Sequence, residues 1–304
     1  MSNKKILITG ANGLLGRKLI DLYLSKPEKT LIATAIGESR YPHRQNFIYA
    51  PLDITNPDAV KEVLQRFKPD CVINTAAMTN VDACETDHEG CDKLNVDAVR
   101  YLAENCEAIG AHLIHISTDF IFDGEHGPYS EEDEARPLSY YGHSKLKGEQ
   151  MVKEKCSRWA ILRTVLVYGV VSDMSRSNIV LWAKGALEKG SPINVVDDQF
   201  RTPTLAEDLA MGCFLAEDQD ATGVYNISGS DFMSIYDLVH RIAAFFKLNA
   251  ALINRSDSTN LNQPAKRPPV TGFKLDKAMR ELNYQPHSFE AGLALVQEQL
   301  MAAG

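Results

Sequence analysis

Residues 5–24 read KILITGANGLLGRKLIDLYL, and this stretch decides the fold. Lys5-Ile-Leu-Ile-Thr9 is a short apolar run of the kind buried on both faces of a parallel sheet. It passes directly into Gly10-Ala-Asn-Gly13-Leu-Leu-Gly16, after which apolar residues recur at helical spacing from Arg17 to Leu24. A strand, Gly-x-x-Gly-x-x-Gly and a helix in that order make a phosphate cradle. The first glycine permits the tight turn, the second lets backbone approach a pyrophosphate, and the third lets the helix pack closely on the strand. The diphosphate of a dinucleotide then sits on the helix amino terminus, where free N–H groups and the helix dipole favour an anion. A glycine triplet by itself carries little; its place between strand and helix gives it meaning.

Working outward, the second strand, Thr30 to Ile36, ends without the acidic residue that normally bonds an adenosine ribose 2'-hydroxyl. Gly37-Glu-Ser39-Arg40 follows instead, and Ser39 and Arg40 suit a 2'-phosphate, which favours NADP(H) over NAD(H). Glu38 competes with that reading, because it can take the ribose itself. A third strand leads to Leu52-Asp53-Ile54, where Asp53 either meets the adenine amino group or serves its own turn. Asn56-Pro57 caps and starts a helix to Phe67. Cys71-Val-Ile-Asn74 is a strand running into Thr75-Ala76-Ala77, whose small side chains let a cofactor lie against the backbone. Val81 to His88 and Asn95 to Ile109 read as helix, interrupted at Gly90, and His112 to Ser117 and Trp159 to Thr164 as further strands. This alternation predicts an α/β fold, a Rossmann-type doubly wound parallel sheet with right-handed crossovers. Beyond Gly169 the pattern loosens into a helix from Asn178 to Lys189, a strand at Ile193 to Val196, a capping box Thr204-x-x-Glu207, a sheet strand at Val224 to Ser228 and a helix opening at Ser234. The expected organisation is a dinucleotide-binding domain over 1–165, with about 204–228 returning to it, and a smaller, mainly substrate-binding domain over 166–304.

The chemistry concentrates where the strand His112-Leu-Ile-His-Ile-Ser117 runs into Thr118-Asp119-Phe120. A polar loop then leads to a helix reading Tyr141-x-x-x-Lys145-x-x-x-Glu149. A spacing of four puts Tyr141 and Lys145 on one helix face, close enough to share a ligand. Of the eleven tyrosines, only Tyr141 has a lysine four residues on. A free phenol titrates near about 10, and an ammonium beside it favours the phenolate and brings that value towards the working range. Thr118 can offer a hydroxyl to the same oxygen. Together Thr118, Tyr141 and Lys145 form a device for moving a proton on or off a carbonyl or alcohol oxygen. Arg201 and the pair Lys266-Arg267 are the cations placed to clamp a substrate phosphate, with a surface cation as the alternative for each; Arg201 is the stronger candidate.

Composition narrows the classes. With 304 residues, 44% apolar and 24% charged, the chain has ample core for one large domain or two intergrown ones. A net charge of -8 argues against nucleic acid as the main partner. The six cysteines show no Cys-x-x-Cys and read as reduced core thiols. Apolar runs are too short for a membrane span, and the start lacks the pattern of a signal peptide, so a cytoplasmic protein is expected. The acidic run Ser130-Glu-Glu-Asp-Glu134 has no histidine at ligand spacing and reads as a solvated loop, leaving no metal site expected.

The glycine triplet, Ser117-Thr118-Asp119-Phe-Ile-Phe-Asp-Gly124, the Pro137-Leu138-x-x-Tyr141-Gly142-x-Ser144-Lys145 run and Asp198-Gln-Phe-x-x-Pro-Thr204 together resemble the extended short-chain dehydrogenase/reductases, and within them the dTDP-4-dehydrorhamnose reductase branch. The resemblance implies reduction of a 4-keto group on a nucleotide-activated deoxysugar, with Tyr141 as proton donor, Lys145 as its tuner and ribose ligand, and Thr118 as a hydrogen-bond donor to the carbonyl. It implies cofactor contacts from Gly10, Asn12, Gly13, Leu14, Gly16, Ser39, Arg40, Asp53, Ile54, Ala76, Ala77, Thr79, Ser117, Tyr141, Lys145 and Thr164. Substrate contacts are implied for Val81, Asp119, Phe120, Leu166, Phe200 and Arg201, and a homodimer is a further expectation. Leu166 stands where that branch has an aromatic residue and Arg201 where it has glycine, which leaves the sugar and the base open. An epimerase or dehydratase of the same fold lacks its acid/base pair here, since Phe120 stands where the dehydratases carry glutamate. A non-catalytic, cofactor-binding regulatory subunit is the alternative from another class.

Overall fold

The computed structural model describes residues 3–42, 46–171, 178–260 and 263–303. Seven strands form one parallel sheet. They are β1 (Lys4–Thr9), β2 (Lys29–Ala35), β3 (Ile48–Pro51), β4 (Cys71–Asn74), β5 (His112–Thr118), β6 (Trp159–Thr164) and the strand Gly223–Asn226. Their spatial order is β3, β2, β1, β4, β5, β6 and then Gly223–Asn226, so the chain reverses direction of travel across the sheet between β1 and β4. In an open α/β sheet that reversal leaves a crevice at the carboxyl ends of the strands, where ligands bind.

Both faces of the sheet are covered. Leu19 and Ile20 of helix α1 (Leu14–Leu24) and Leu209 of the Ala206–Asp218 helix share one apolar layer with Ile6 and Ile114. Val60 and Leu64 of α2 (Pro57–Phe67), Leu102 of the Ala98–Ile109 helix and Val152 of the Tyr140–Lys155 helix form the other, against Leu7 and Val72. A separate apolar cluster gathers Val180, Leu238, Val239, Ile242 and Leu293 from the carboxyl-terminal part of the chain. All six cysteines are buried, and none is in a disulfide. Among the described residues no helix is long and apolar enough to cross a membrane, and no cluster of histidine, cysteine or carboxylate side chains could hold a metal ion.

Three local expectations are corrected. Helix α1 begins at Leu14, three residues before Arg17, with Gly13 as its cap. The break in the 81–109 helical stretch falls at Asp87, whose carboxylate caps the Gly90 N–H at 2.9 Å, and Gly90 itself lies inside the short His88–Asp92 helix. The capping box at Thr204 does not form. Thr204 pairs instead with Val167 in a short parallel bridge, its hydroxyl donates to the Val165 carbonyl at 2.6 Å, and Glu207 pairs with Lys18 at 2.9 Å. Similarly, Glu131 of the acidic loop is half-buried and accepts the Asn226 N–H, so part of that run is structural.

Gly16 is where the first helix meets its strand. A Cβ there would lie 2.4 Å from the Gly10 carbonyl oxygen and 2.7 Å from the Ala11 Cα, both backbone atoms that cannot swing away. Gly16→Ala should therefore destabilise the protein by about 1–3 kcal/mol through overpacking, read as a fall in the urea midpoint with an unchanged slope.

Candidate active site

A cavity of about 470 Å³ opens at the carboxyl ends of β1, β4 and β5, where the chain reverses its travel across the sheet. Asn12, Gly13 and Leu14 line it from the glycine loop, Ala77, Thr79 and Val81 from the segment after β4, and Ser117, Thr118, Asp119 and Phe120 from the end of β5. Tyr141, Lys145, Thr164, Leu166, Arg201 and Arg267 complete the parts that matter chemically. Residues far apart in the chain, predicted from separate motifs, thus share one space.

Other candidates lie outside it. Gly10 and Gly16 sit beneath the loop; Gly10 has φ +67°, and a Cβ on it would meet the Ala76 nitrogen at 2.9 Å, so glycine there lets the loop lie against the exit of β4. Asn12 spans the gap to the segment after β2, donating to the Glu38 carbonyl at 2.9 Å and accepting the Arg40 N–H at 2.8 Å, which brings Ser39 and the exposed Arg40 beside the glycine loop. Asp53 turns its carboxylate to the N–H and hydroxyl of Thr55, the turn reading of that residue. Ile54 is buried in the core, and Phe200 stacks on Phe232 away from the cavity.

Local geometry explains how the reactive side chains meet. Ser139 caps the Tyr140–Lys155 helix by accepting the Gly142 N–H. A Cβ on Gly142 would stand 2.2 Å from the Phe120 carbonyl oxygen, so a glycine lets the helix press against the Thr118–Phe120 turn. Thr118 ends β5, accepts the Phe120 N–H and donates to Asp119 Oδ1 at 3.1 Å. Lys145 is 2% exposed; its Nζ donates to the Ile116 carbonyl at 2.7 Å and lies 3.3 Å from His115 Nε2. Burial brings Lys145 down to about 8, against the opposing charge of Glu149. Burial also pushes the Tyr141 phenol up, with the Thr118 hydroxyl pulling it down and Asp119 pushing it further up. The expected lowering of Tyr141 by lysine does not appear; burial dominates, and Thr118 is the group that lowers the phenol.

Arg201 lines the cavity, as the sequence reading expects of a substrate contact, but with most of its hydrogen bonds already made. It is 3% exposed, and its guanidinium is spent on the carbonyls of Phe200, Pro268 and Pro269, with Asp119 at 3.8 Å. Charge alone does not reveal burial, and here the arginine stitches two loops together at the cavity wall. Arg267, held by Asp82 at 2.7 Å, is the half-buried cation at the cavity wall, while Lys266 is exposed. Sequence reasoning also missed Asn95, fully buried in a π-helical turn (Lys93–Asp97), which bonds both backbone groups of Met78 and the Ser144 hydroxyl. A lone asparagine in a helical run gives no signal of such a role.

The helix bearing Tyr141 and Lys145 is fastened by Glu149. Fully buried, its carboxylate takes two bonds from Arg163 of β6, at 2.9 and 2.8 Å, and one from Ser117 of β5 at 2.7 Å. Ser117, a candidate cofactor contact, thereby commits its hydrogen to Glu149, and Thr164 donates to Thr204.

A doubly wound sheet with a glycine loop at its switch point and a threonine–tyrosine–lysine constellation in the crevice is the architecture of an extended short-chain dehydrogenase/reductase. The chain belongs to the RmlD substrate binding domain family, whose model matches residues 4–302. It is 30% identical over 301 residues to the dTDP-4-dehydrorhamnose reductase of Aggregatibacter actinomycetemcomitans, covering 95% of this chain and 97% of that one. It is 34% identical over 251 residues to methionine adenosyltransferase 2 subunit beta of Bos taurus, covering 81% and 73%. Among solved structures, dTDP-4-dehydrorhamnose reductase from Bacillus anthracis in complex with NADP superposes with a TM-score of 0.84 at 27% identity, covering 98% of this chain and 99% of that one.

The Glu149–Arg163 pair holds the Glu149 carboxyl below its ordinary range. Its contribution to stability is whole above the unfolded value near about 4.3 and is lost as pH falls through the lower folded value. Arg163→Met strands the carboxylate in the core and should destabilise by about 3–5 kcal/mol at neutral pH. The loss should shrink on acidification, when the orphaned carboxyl takes up a proton; urea unfolding at the two pH values measures both.

Proposed function

We propose that this chain is an NADPH-dependent reductase of a keto group on a nucleotide-activated deoxysugar, of the dTDP-4-dehydrorhamnose reductase type. The observation that carries the reading is the convergence of Thr118, Tyr141 and Lys145 on one cavity that also receives the glycine loop. The residues present suit a dinucleotide. No side chain caps the amino terminus of α1, and a Cβ at Gly10 would meet Thr75 and Ala76, so the loop would lose the fit that leaves room for a diphosphate. The similarity to a dTDP-4-dehydrorhamnose reductase over nearly the whole chain supports the substrate class.

The bound nicotinamide supplies hydride to the carbonyl carbon. The chain's residues handle the oxygen. Tyr141 gives its hydroxyl proton to the oxygen as negative charge develops there, Thr118 donates a hydrogen bond to the same atom, and Lys145 supplies positive charge behind the phenol. A sugar ring and phosphate entering the cavity displace water and meet Val81, Phe120 and Leu166 as apolar walls, with Arg267 a half-buried cation of the lining. To donate to the substrate oxygen Thr118 turns its single hydrogen away from Asp119 Oδ1, while Asp119 keeps its bond from Thr271. The 34% identity to a methionine adenosyltransferase beta subunit favours a second reading, a cofactor-binding subunit without turnover.

Turnover separates the two. Purified protein given NADPH and a 4-keto deoxysugar nucleotide should oxidise the cofactor, and Tyr141→Phe should slow this by about 10²–10⁴ while leaving NADPH affinity intact. A Tyr141→Phe variant as fast as the parent would remove this stretch from catalysis, and a parent with no turnover on a panel of keto sugar nucleotides would favour the subunit reading. Ser39 and Arg40, tied to the glycine loop through Asn12, carry the preference for NADPH. Fluorescence titration should give tighter binding of NADPH than of NADH, and Arg40→Ala should narrow the gap, since a charge-assisted hydrogen bond contributes on the order of 1.5–3 kcal/mol. Equal affinities in the parent would sink the preference.

A further inference from the structure

Three buried polar side chains stand in a row behind Lys145. Pairing of β1 with β4 sets Thr9 opposite Asn74, and pairing of β4 with β5 sets Asn74 opposite His115. Register partners in a sheet share a face, so the three side chains line up across it. The Thr9 hydroxyl donates to Asn74 Oδ1 at 2.6 Å, the Asn74 amide nitrogen meets His115 Nδ1 at 3.1 Å, and His115 Nε2 meets Lys145 Nζ at 3.3 Å. Thr9 and His115 are fully buried and Asn74 is 1% exposed.

Burial, with Lys145 adding to it, holds His115 well below its ordinary range, so the ring is neutral. A neutral imidazole has one N–H and one bare nitrogen. The Asn74 oxygen is taken by Thr9, so its NH₂ faces Nδ1 and Nδ1 accepts. The ring hydrogen then sits on Nε2, aimed at Lys145. An ammonium has three N–H groups and no lone pair, so it is a poor partner for that hydrogen. A neutral amine, accepting from His115 while donating to Ile116, completes the row.

We propose that His115 is a positioning residue for Lys145: steadied by Asn74 and Thr9, its Nε2–H points at Nζ beside the Ile116 carbonyl and favours the amine over the ammonium, so that Lys145 gives up its proton at a lower pH than it otherwise would and, above that pH, must take one from solvent when an anionic dinucleotide enters. The inference rests on reading the cavity as a nicotinamide dinucleotide site. The other groups facing Lys145 are few. Glu149, one turn on, favours the ammonium but shares its charge with Arg163, and Cys91 favours it from the neighbouring helix. Tyr141 lies one turn before. Against them stand His115 and burial.

The test follows Lys145 directly. Cofactor-free protein carrying ¹³C-labelled lysine is titrated by NMR, the Lys145 resonance being identified by its loss in Lys145→Met. NADPH affinity is measured by fluorescence across the same pH range. In the parent the lysine should titrate near about 8, and NADPH affinity should be level below that pH and fall above it, as binding comes to require proton uptake. In His115→Gln an amide oxygen can turn towards Nζ, so both the midpoint and the break in affinity should rise by about one pH unit, a tenfold change in the balance of amine and ammonium. The double variant Thr9→Val with Asn74→Leu frees the ring to move its hydrogen to Nδ1 without stranding a hydroxyl, and should shift both readings the same way. Unmoved midpoints in variants that melt as the parent does would overturn the proposal. So would a parent lysine titrating at its ordinary value near about 10.4, which needs no variant at all. Failure of the reductase reading looks different: a parent that binds NADPH with its break near about 8 but reduces no keto sugar nucleotide loses that reading and keeps this role for His115.

Discussion

One carboxylate, sealed from water, holds the reactive helix to the sheet. Glu149 bonds Arg163 of β6 and Ser117 of β5 at once, so the helix that carries Tyr141 and Lys145 is tied to two adjacent strands and not merely laid across them. An apolar contact could supply comparable stability, and often more, because desolvating a charge pair is expensive. What an apolar contact cannot supply is register. A helix packed only through Val152 and its neighbours could slide or rotate by part of a turn at little penalty; a bidentate carboxylate–guanidinium pair is specific in both distance and angle. Lys145 lies one turn before Glu149, so fixing Glu149 fixes where Nζ meets the Ile116 carbonyl. Gly142 and Ser139 do the same for the other end of the helix.

Much of this was legible in the sequence, and the division between what was and was not has a physical cause. The glycine loop, the alternation of strand and helix and the Tyr141–Lys145 spacing are local statements: a backbone needing glycine, a period of residues, two side chains on one helix face. They carried through. Arg201 is the opposite case. Its charge suggested a phosphate ligand, but its fate was decided by Pro268 and Pro269, sixty-odd residues away, whose carbonyls needed a donor. Thr204 failed for the same reason, its hydroxyl drawn to Val165 by a parallel bridge that no local pattern announces. Asn95, Asn74 and His115 were passed over because a single polar residue in an apolar run is read as tolerated, when in a doubly covered sheet each such residue must find a partner.

The electrostatics of the cavity run opposite to the simple picture of an ammonium pulling down a phenol. Both groups are buried, and burial penalises whichever form is charged, so the lysine is held down and the tyrosine up. Burial lowers the lysine without discharging it: near about 8, Lys145 is still mainly an ammonium at neutral pH, beside a phenol that keeps its proton. An anionic ligand joining the ammonium offsets what burial takes from it. A site built this way keeps its proton donor protonated until a ligand arrives, which is what a general acid requires.

That arrangement also bears on whether the cavity evolved to react or only to bind. Lys145 by itself does not decide, because its ammonium also favours the binding of an anionic dinucleotide. A binding pocket has no need of the Tyr141 hydroxyl, since the ring alone makes the edge contact with Phe120. Each of these groups is kept at a burial that destabilises the fold relative to an apolar replacement, and a polar row through three strands of the sheet backs one of them. Proteins depart from the stable local choice chiefly where function requires it. Here the departures fall on the two side chains whose polar atoms a proton transfer would use, and they sit one helical turn apart beside Thr118. A subunit that merely held a dinucleotide would have no use for the Tyr141 hydroxyl.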